Sequence, residues 1–138
     1  MRLILVQRDN LFLAWPEALP YIQSALEFNA EYAVNDILTL LTDNALSLWM
    51  FYNDEERKAM GAMITEVLRH PRTTMMSIVL LGADDFEKVV SPLFDEFIEY
   101  ASSIGINTIE SLSRFGMERL LKDKGFKKTY VILRKDLE

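Results

Sequence analysis

The chain has 138 residues, of which 50% are hydrophobic, and it carries a formal net charge of −6 and no cysteine. A chain of this length can bury a core without disulfide bonds or metal ions, so we expect one domain over residues 1–138. The lack of cysteine excludes a disulfide framework and thiolate-ligated metal, and it favours a reducing, cytoplasmic compartment. Neither a membrane span nor a secretion signal is predicted, because no apolar run reaches the length of a bilayer crossing.

The charge is unevenly distributed along the chain. Residues 1–56 carry two Arg against nine Asp and Glu, whereas residues 114–138 carry eight Lys and Arg against four acids. An acidic surface repels phosphate, so the composition argues against nucleic acid as a partner. We interpret the basic C-terminal region as solvated side chains on a helix and an edge strand.

The first third of the chain predicts one strand and two helices. Leu3–Arg8 is a β-type run. A helix is predicted from Pro16 to about Phe28, with Pro20 in its first turn, where the missing N–H of proline has no partner to lose. A second helix is predicted over Val34–Leu41, because cap-type side chains at its start precede an apolar stripe.

The middle of the chain predicts three consecutive antiparallel strands. Leu46–Tyr52 and Lys58–Leu68 are β-type runs joined by a polar turn, and Thr73–Leu81 follows a second turn. An acidic bend, Gly82–Glu87, then leads into a central helix over Ser91–Ile104, whose apolar residues repeat at the spacing of one buried helix face.

The last third predicts a strand, a helix and a strand. Gly105 is placed to end the central helix, and Ile106–Leu112 is a β-type run. Phe115–Lys124 returns to helical spacing, Gly125 ends that helix, and Phe126–Leu137 is a final strand. The order β-α-α-β-β-β-α-β-α-β predicts an α/β fold (α+β mixed sheet) with six or seven strands.

Two local patterns carry a resemblance to a known family. The segment LLKDKGFKKTYVIL places the pair Gly125-Phe126 between a short helix and a last strand, and the segment LFDEFIEYASSIG places Leu93-Phe94 and Ala101-x-x-x-Gly105 on the central helix. With the element order, these patterns resemble the GNAT superfamily of acyl-CoA N-acyltransferases over most of Leu46–Leu137. The resemblance implies the GNAT-like acyl-CoA N-acyltransferase fold.

The resemblance also implies acetyl-CoA as the cofactor. In the family, the pattern Arg/Gln-x-x-Gly-x-Gly/Ala before the central helix presents backbone N–H groups to the pyrophosphate of coenzyme A. The corresponding positions here are Asp85, Lys88 and Val90, and none of them matches. Asp84, Asp85 and Glu87 bring negative charge to this bend, where each like-charge pair ~6–8 Å apart costs about 2–3 kcal/mol at an effective dielectric of ~20.

The other cofactor contacts implied by the resemblance lie beside the bend. Backbone groups near Leu80, Leu81 and Gly82 would hold the pantetheine arm, with Lys88 as the cation closest to the pyrophosphate. The family's tyrosine, which protonates the departing thiolate, corresponds to Leu121, which has no proton to give.

Two carboxylates on predicted strands are the candidate catalytic residues. Glu66 or Glu110 could act as a general base, directly or through a water molecule. The simpler interpretation of each is an exposed residue of a strand. No cluster of metal-ligand residues is evident in the sequence.

Two functions from different classes remain open. The first is acetyl-CoA-dependent N-acyl transfer to an amine, which the element order favours. The second is a catalytically silent GNAT-like domain, a pseudoenzyme that binds a protein partner. That alternative is similar to the small GNAT-like proteins of tailed bacteriophage morphogenesis regions, for which the compartment would be the host cytoplasm. Neither nucleic acid nor a membrane is expected as a partner.

Overall fold

The computed structural model describes residues 1–27, 29, 31–113 and 116–137. These residues contain five strands and four α-helices, with a short 3-10 turn at Arg8–Asn10 and a π-helical turn at Phe86–Val90. In chain order the elements are β1 (Arg2–Leu5), α1 (Leu11–Leu26), α2 (Val34–Thr42), β2 (Ser47–Asn53), β3 (Lys58–Arg69), β4 (Thr74–Ala83), α3 (Ser91–Ser103), β5 (Thr108–Ser111) and α4 (Met117–Lys122). None of the described helices is long and apolar enough to cross a lipid bilayer.

The five described strands form one mixed sheet in the order β1-β2-β3-β4-β5. β1 to β4 are mutually antiparallel, and β2, β3 and β4 follow one another through short turns. β5 pairs parallel to β4, from Met75↔Thr108 to Ile78↔Ser111, because α3 carries the chain back along the sheet. Within the described residues, β1 and β5 are therefore the two edge strands.

Side chains alternate between the two faces of the sheet and build two hydrophobic clusters. On one face, Leu48 and Ile64 pack in a cluster with α1 and α2. On the other face, Phe51 and Met63 pack in a cluster with α3 and α4. The fold therefore has three layers, with helices on both faces of the sheet.

The predicted α/β fold class is confirmed, and the hairpin strands and the central helix lie where the sequence predicts them. β2, β3, β4 and α3 each begin within one residue of the predicted start. Gly105 and Gly125 each have φ of 88°, the left-handed conformation that favours glycine just after a helix end. β1 and β5 are shorter than predicted, and the predicted start of α4 at Phe115 lies outside the described residues.

α1 begins earlier than the sequence predicts. The helix begins at Leu11 instead of Pro16, so Pro16 and Pro20 both lie inside it. Both prolines are exposed and lie four residues apart, so the carbonyl groups that lose an N–H partner share the solvent-facing side. Leu11 and Ile22 are buried and anchor the helix to the sheet. The predicted helix end near Phe28 lies outside the described residues.

The last predicted strand, Phe126–Leu137, is not a strand in the structure. Residues 126–137 have no regular secondary structure, and none of the described backbone–backbone hydrogen bonds between elements involves residues 127–137. A β-type sequence becomes a strand only where a neighbouring strand accepts its backbone hydrogen bonds, and β5 does not pair with this segment. The sheet therefore has five described strands instead of six or seven.

A buried hydrogen bond ties β2 to β3 on the face covered by α3. Trp49 Nε1 donates to Thr65 Oγ1 over 3.0 Å, and both residues are buried. The Trp49 ring also makes edge-to-face contacts with Phe97 and Tyr100 of α3, each with ring centroids 5.2 Å apart. The hydrogen bond therefore fixes the ring against which α3 packs.

We expect Thr65→Val to destabilise the protein. Valine keeps the shape of threonine but leaves the buried Trp49 N–H without its acceptor, so the free energy of unfolding should fall by about 1–3 kcal/mol. Urea unfolding measures this loss. Thr129→Val is the matched control because Thr129 is exposed, and it should change stability by less than about 0.5 kcal/mol. Equal losses at both positions would contradict the role of the hydrogen bond.

Candidate functional site

The opening between β4 and β5 is the candidate ligand site of this chain. The two strands pair up to Ile78, and β4 continues for five more residues with no described partner on that side. Its backbone groups there can pair with the amide groups of an extended ligand. Leu80, Leu81 and Gly82, the residues predicted to hold pantetheine, lie on this stretch.

An extra residue in β4 lies where the opening begins. Ile78 is opposite Thr65 of β3 and Leu80 is opposite Ile64, so Val79 has no partner and forms a β-bulge. The bulge reverses the alternation of side chains, since Ile78 packs on the α3 face and Leu80 is buried on the α1 face. The bulge therefore lies directly after the last pair of β4 with β5, at the position where β5 ends.

Gly82 is required by the packing of α1. A Cβ atom at this position would lie 2.5 Å from the carbonyl oxygen of Tyr21, far inside van der Waals contact. Gly61 on the adjacent strand is similarly constrained, because its Cβ atom would lie 2.9 Å from the carbonyl oxygen of Gly82. Gly82 therefore allows α1 to approach β4 closely, whereas Gly61 allows β3 to lie close to the end of β4.

A carboxylate of the chain itself caps the helical segment that follows the opening. Asp85 has an extended backbone, and its Oδ1 accepts a hydrogen bond from the backbone N–H of Lys88 over 3.1 Å. This is N-cap geometry for the π-helical turn that leads into α3. The Asp85 carboxylate therefore accepts a hydrogen bond from a backbone N–H at the start of a helical segment, and a group of this kind would otherwise be free to bind a phosphate. The side chain of Lys88 is exposed.

The neighbouring carboxylate, Asp84, is held by a hydroxyl group from α1. Tyr21 Oη lies 3.0 Å from Asp84 Oδ1 and 3.1 Å from the carbonyl oxygen of Ala59, and its one proton is shared between the two acceptors. Burial, the hydrogen bond to Asp84 and the negative charges of Asp84 and Glu17 raise the pKa of Tyr21 to about 12. Tyr21 therefore fixes the acidic bend to α1.

The two predicted catalytic carboxylates lie in one row across the sheet. Glu66 of β3 is opposite Ser77 of β4, and Ser77 is opposite Glu110 of β5. Cross-strand partners point to the same face, so the carboxylates flank the buried Ser77 about two strand spacings, ~9.5 Å, apart. The structure thus brings Glu66 and Glu110 into one row, but this row lies eight residues along the chain from Asp85.

At the end of α4, the residue at the position where the resemblance implies a proton donor, Leu121, packs in the hydrophobic core. Leu121 is buried in the cluster on the α3 face. Gly125 ends α4, the Phe126 N–H donates to the Leu121 carbonyl, and the Phe126 ring contacts Phe94 of α3 edge-on at 5.7 Å. The Gly-Phe pair therefore fastens α4 to α3.

Three features of the site were not predicted from the sequence: the Val79 bulge, the Tyr21–Asp84 hydrogen bond and the Asp85 cap. Aspartate three residues before a helical N–H is a preferred capping pattern, so the cap had a local signal. The bulge and the Tyr21 contact had none, because they depend on pairing between distant parts of the chain. No group of three or more His, Asp or Glu residues in the described part of the chain is arranged to hold a metal ion.

Comparison with known proteins identifies the fold. Neither a family model nor a curated protein matches the sequence, but solved structures match the whole chain. One is a probable acetyltransferase, with 13% identity, a TM-score of 0.74 and 99% of each chain covered. Another is an aminoglycoside acetyltransferase from an uncultured soil metagenomic sample in complex with sisomicin, with 11% identity and a TM-score of 0.73, covering 99% of this chain and 96% of that one. A third is a predicted acetyltransferase with acetyl-CoA from Clostridium acetobutylicum, with 12% identity and a TM-score of 0.69, covering 99% of this chain and 96% of that one.

The chain therefore has the GNAT acetyltransferase fold, and identities this low establish the fold alone. At the bend, its residues do not fit the pyrophosphate of coenzyme A. The backbone N–H of Lys88 already donates a hydrogen bond to Asp85, and Asp84 adds a second carboxylate beside Asp85. Val90 is fully buried, whereas the pattern that the resemblance implies has a small residue here, which would let backbone and phosphate approach closely.

We expect Asp85→Ala to weaken the start of the helical segment. Loss of an aspartate cap lowers the free energy of unfolding by about 1 kcal/mol, which lowers Tm by about 3–5 °C in a domain of this size. Differential scanning calorimetry measures the change. Asp95→Ala removes the same charge from an exposed position further along α3, so it serves as the control. Equal effects of the two substitutions would contradict the cap.

The raised pKa of Tyr21 predicts a loss of stability at alkaline pH. Its pKa rises from 10.0 to about 12 in the folded chain, so its contribution is fully present below pH 10 and is lost as pH rises through 12. Urea unfolding across this range should therefore show a steeper decline for the wild type than for Tyr21→Phe. Tyr130→Phe, at an exposed position, should decline like the wild type. Parallel curves for wild type and Tyr21→Phe would refute the prediction.

Proposed function

We propose that this chain is a GNAT-fold protein that acts through contacts with another protein, and that its acidic bend closes the pyrophosphate position of coenzyme A. The Asp85 cap is the observation that carries the proposal. Asp85 Oδ1 accepts a hydrogen bond from the backbone N–H of Lys88 over 3.1 Å. A pyrophosphate would have to displace this carboxylate and approach Asp84 and Glu87, which are exposed on the same bend. Each like-charge contact costs about 2–3 kcal/mol before salt screening.

Contacts from α1 and α4 support the same proposal. Tyr21 holds Asp84 through a 3.0 Å hydrogen bond, so the bend cannot move this charge aside without breaking that bond. Leu121 is buried and has no proton to donate to a leaving thiolate. Glu66 and Glu110 lie in the paired part of the sheet, before the opening begins.

The charge and the exposed apolar side chains of this chain favour a protein as its partner. The net charge of −6 disfavours nucleic acid, while exposed apolar side chains and an unpaired β-type segment are features that proteins bind. The sequence-based expectation for such a role is a protein similar to the small GNAT-like proteins of tailed bacteriophages, in which the fold would serve assembly instead of acyl transfer.

A second candidate function is acetyl-CoA-dependent N-acyl transfer to an amine. The opening beyond Ile78 favours it, because free backbone groups of β4 near Leu80, Leu81 and Gly82 can hold a pantetheine arm. One solved structure of the same fold is that of a predicted acetyltransferase with acetyl-CoA. In this case Glu66 or Glu110 would accept a proton from the amine through water, and Lys88 would be the cation of the bend.

Calorimetric titration with acetyl-CoA separates the two candidates. We expect wild-type protein to bind acetyl-CoA with a Kd no tighter than ~1 mM, so that ~1 mM ligand stabilises it by about 0.4 kcal/mol at most. We expect Asp85→Ala to bind at least ~10-fold more tightly than the wild type, because it removes a repulsive charge and releases the Lys88 N–H.

The matched control for this titration is again Asp95→Ala, which changes the net charge equally but lies away from the bend. Its affinity should equal that of the wild type, and the gain of Asp85→Ala should shrink as salt rises. A wild-type Kd below ~10 μM, about −7 kcal/mol, would overturn the proposal and leave acyl transfer as the function.

A further inference from the structure

The C-terminal segment, residues 127–137, exposes apolar side chains that a single chain leaves uncovered. Tyr130, Val131, Ile132 and Leu133 are 61–90% exposed. Such residues favour strands, yet none of the described backbone–backbone hydrogen bonds between elements involves this segment. Contiguous exposed apolar residues of this kind mark interaction surfaces. The segment therefore has the properties of a strand that lacks its neighbour.

A groove of about 460 Å³ lies along the far edge of the sheet, between β1 and the start of α1. Ile4 and Val6 line it on the β1 side, and Leu13 and Ala14 line it on the α1 side. Leu13 is 82% exposed and its neighbour Phe12 is 68% exposed. We call this surface the β1 groove. It offers apolar contacts to an extended segment.

The open edge of β1 offers backbone hydrogen bonds beside the β1 groove. β1 pairs only with β2 among the described strands. The Val6 N–H donates to the Leu48 carbonyl on the β2 side. Because these groups alternate along a strand, the N–H and C=O groups of Leu3 and Leu5 point to the open edge. An edge of this kind is a template for an added strand.

The C-terminal segment and the rest of the chain carry opposite net charges. The C-terminal segment contains four Lys and Arg against one Asp, although the whole chain carries −6, so the rest of the chain is strongly acidic. Glu17 is the one charged residue among the described residues that line the β1 groove. Two cations of the segment already contact acids of their own chain, Lys128 with Glu118 and Arg134 with Glu31, but only at exposed positions. Such pairs contribute little stability.

We propose that residues 127–137 of one molecule bind in the β1 groove of a second copy and extend its sheet at β1. The basic, apolar segment would pair with the free backbone groups of Leu3 and Leu5 and cover Leu13. Because the segment and the groove are different surfaces, the contact is heterologous and either closes as a reciprocal pair or extends along a chain of molecules. The inference rests on the proposed function, since it names a second copy as the protein partner.

Sedimentation velocity of the full chain over a wide range of protein concentrations tests this proposal. The wild type should exceed the monomer mass of 16.0 kDa as concentration rises. Leu13→Glu in the groove and Val131→Asp in the segment should each weaken association at least ~10-fold. Leu112→Glu is the matched control, because Leu112 is 69% exposed beside β5, at the opposite edge. It should associate like the wild type.

Mixing the two defective variants gives the sharper test. Leu13→Glu retains an intact segment and Val131→Asp retains an intact groove, so at a concentration at which each variant alone is monomeric an equimolar mixture should form a species of twice 16.0 kDa. A wild type that stays monomeric, a mixture that stays monomeric, or a loss of association in Leu112→Glu would overturn the proposal. Binding of a monomeric wild type to anionic vesicles, abolished by Val131→Asp, would assign the segment to a membrane instead. Acetyl-CoA titration is a separate readout, so the proposed function and this inference can fail independently.

Discussion

The unmatched residue in β4, Val79, is the constraint on which the candidate site depends. Because Val79 has no partner on β3, the side chains change faces between Ile78 and Leu80, directly after the last pair of β4 with β5. Beyond the bulge, Gly82 passes beneath α1, where the carbonyl of Tyr21 leaves no space for a side chain. The opening, the close approach of α1 and the acidic bend therefore follow one another along the end of β4.

The acidic bend shows how a side chain of the same chain can accept a hydrogen bond from an N–H group at the start of a helix. The first N–H groups of a helix have no acceptor within the helix, so either a side chain or a ligand must supply one. Here the Asp85 carboxylate supplies it, and Tyr21 holds Asp84 beside it. A phosphate ligand could accept a hydrogen bond from the Lys88 N–H only after displacing the Asp85 carboxylate, which is also negatively charged. Fold and activity are thus separate properties in this chain.

The two edges of the sheet differ in what they can bind. β1 and β5 are each four residues long, but β5 ends near the opening, whereas β1 borders an apolar groove. Water can satisfy the backbone groups of an edge strand, but it does not favour a row of exposed apolar side chains such as residues 130–133. Opposite charges on this segment and on the rest of the chain orient any contact between copies.

The sequence by itself determined the elements whose signals are local. The continuous apolar runs of β2, β3 and β4 reflect strands that are buried on both faces, and the helical repeat in α3 reflects one buried face. Gly105 and Gly125 mark helix ends through their positive φ. Only the tertiary structure decided the Val79 bulge, the Tyr21–Asp84 bond across 63 residues of sequence and the unpaired state of residues 127–137. These features depend on which strand or helix meets which, and such contacts between distant residues leave no periodic pattern in the sequence.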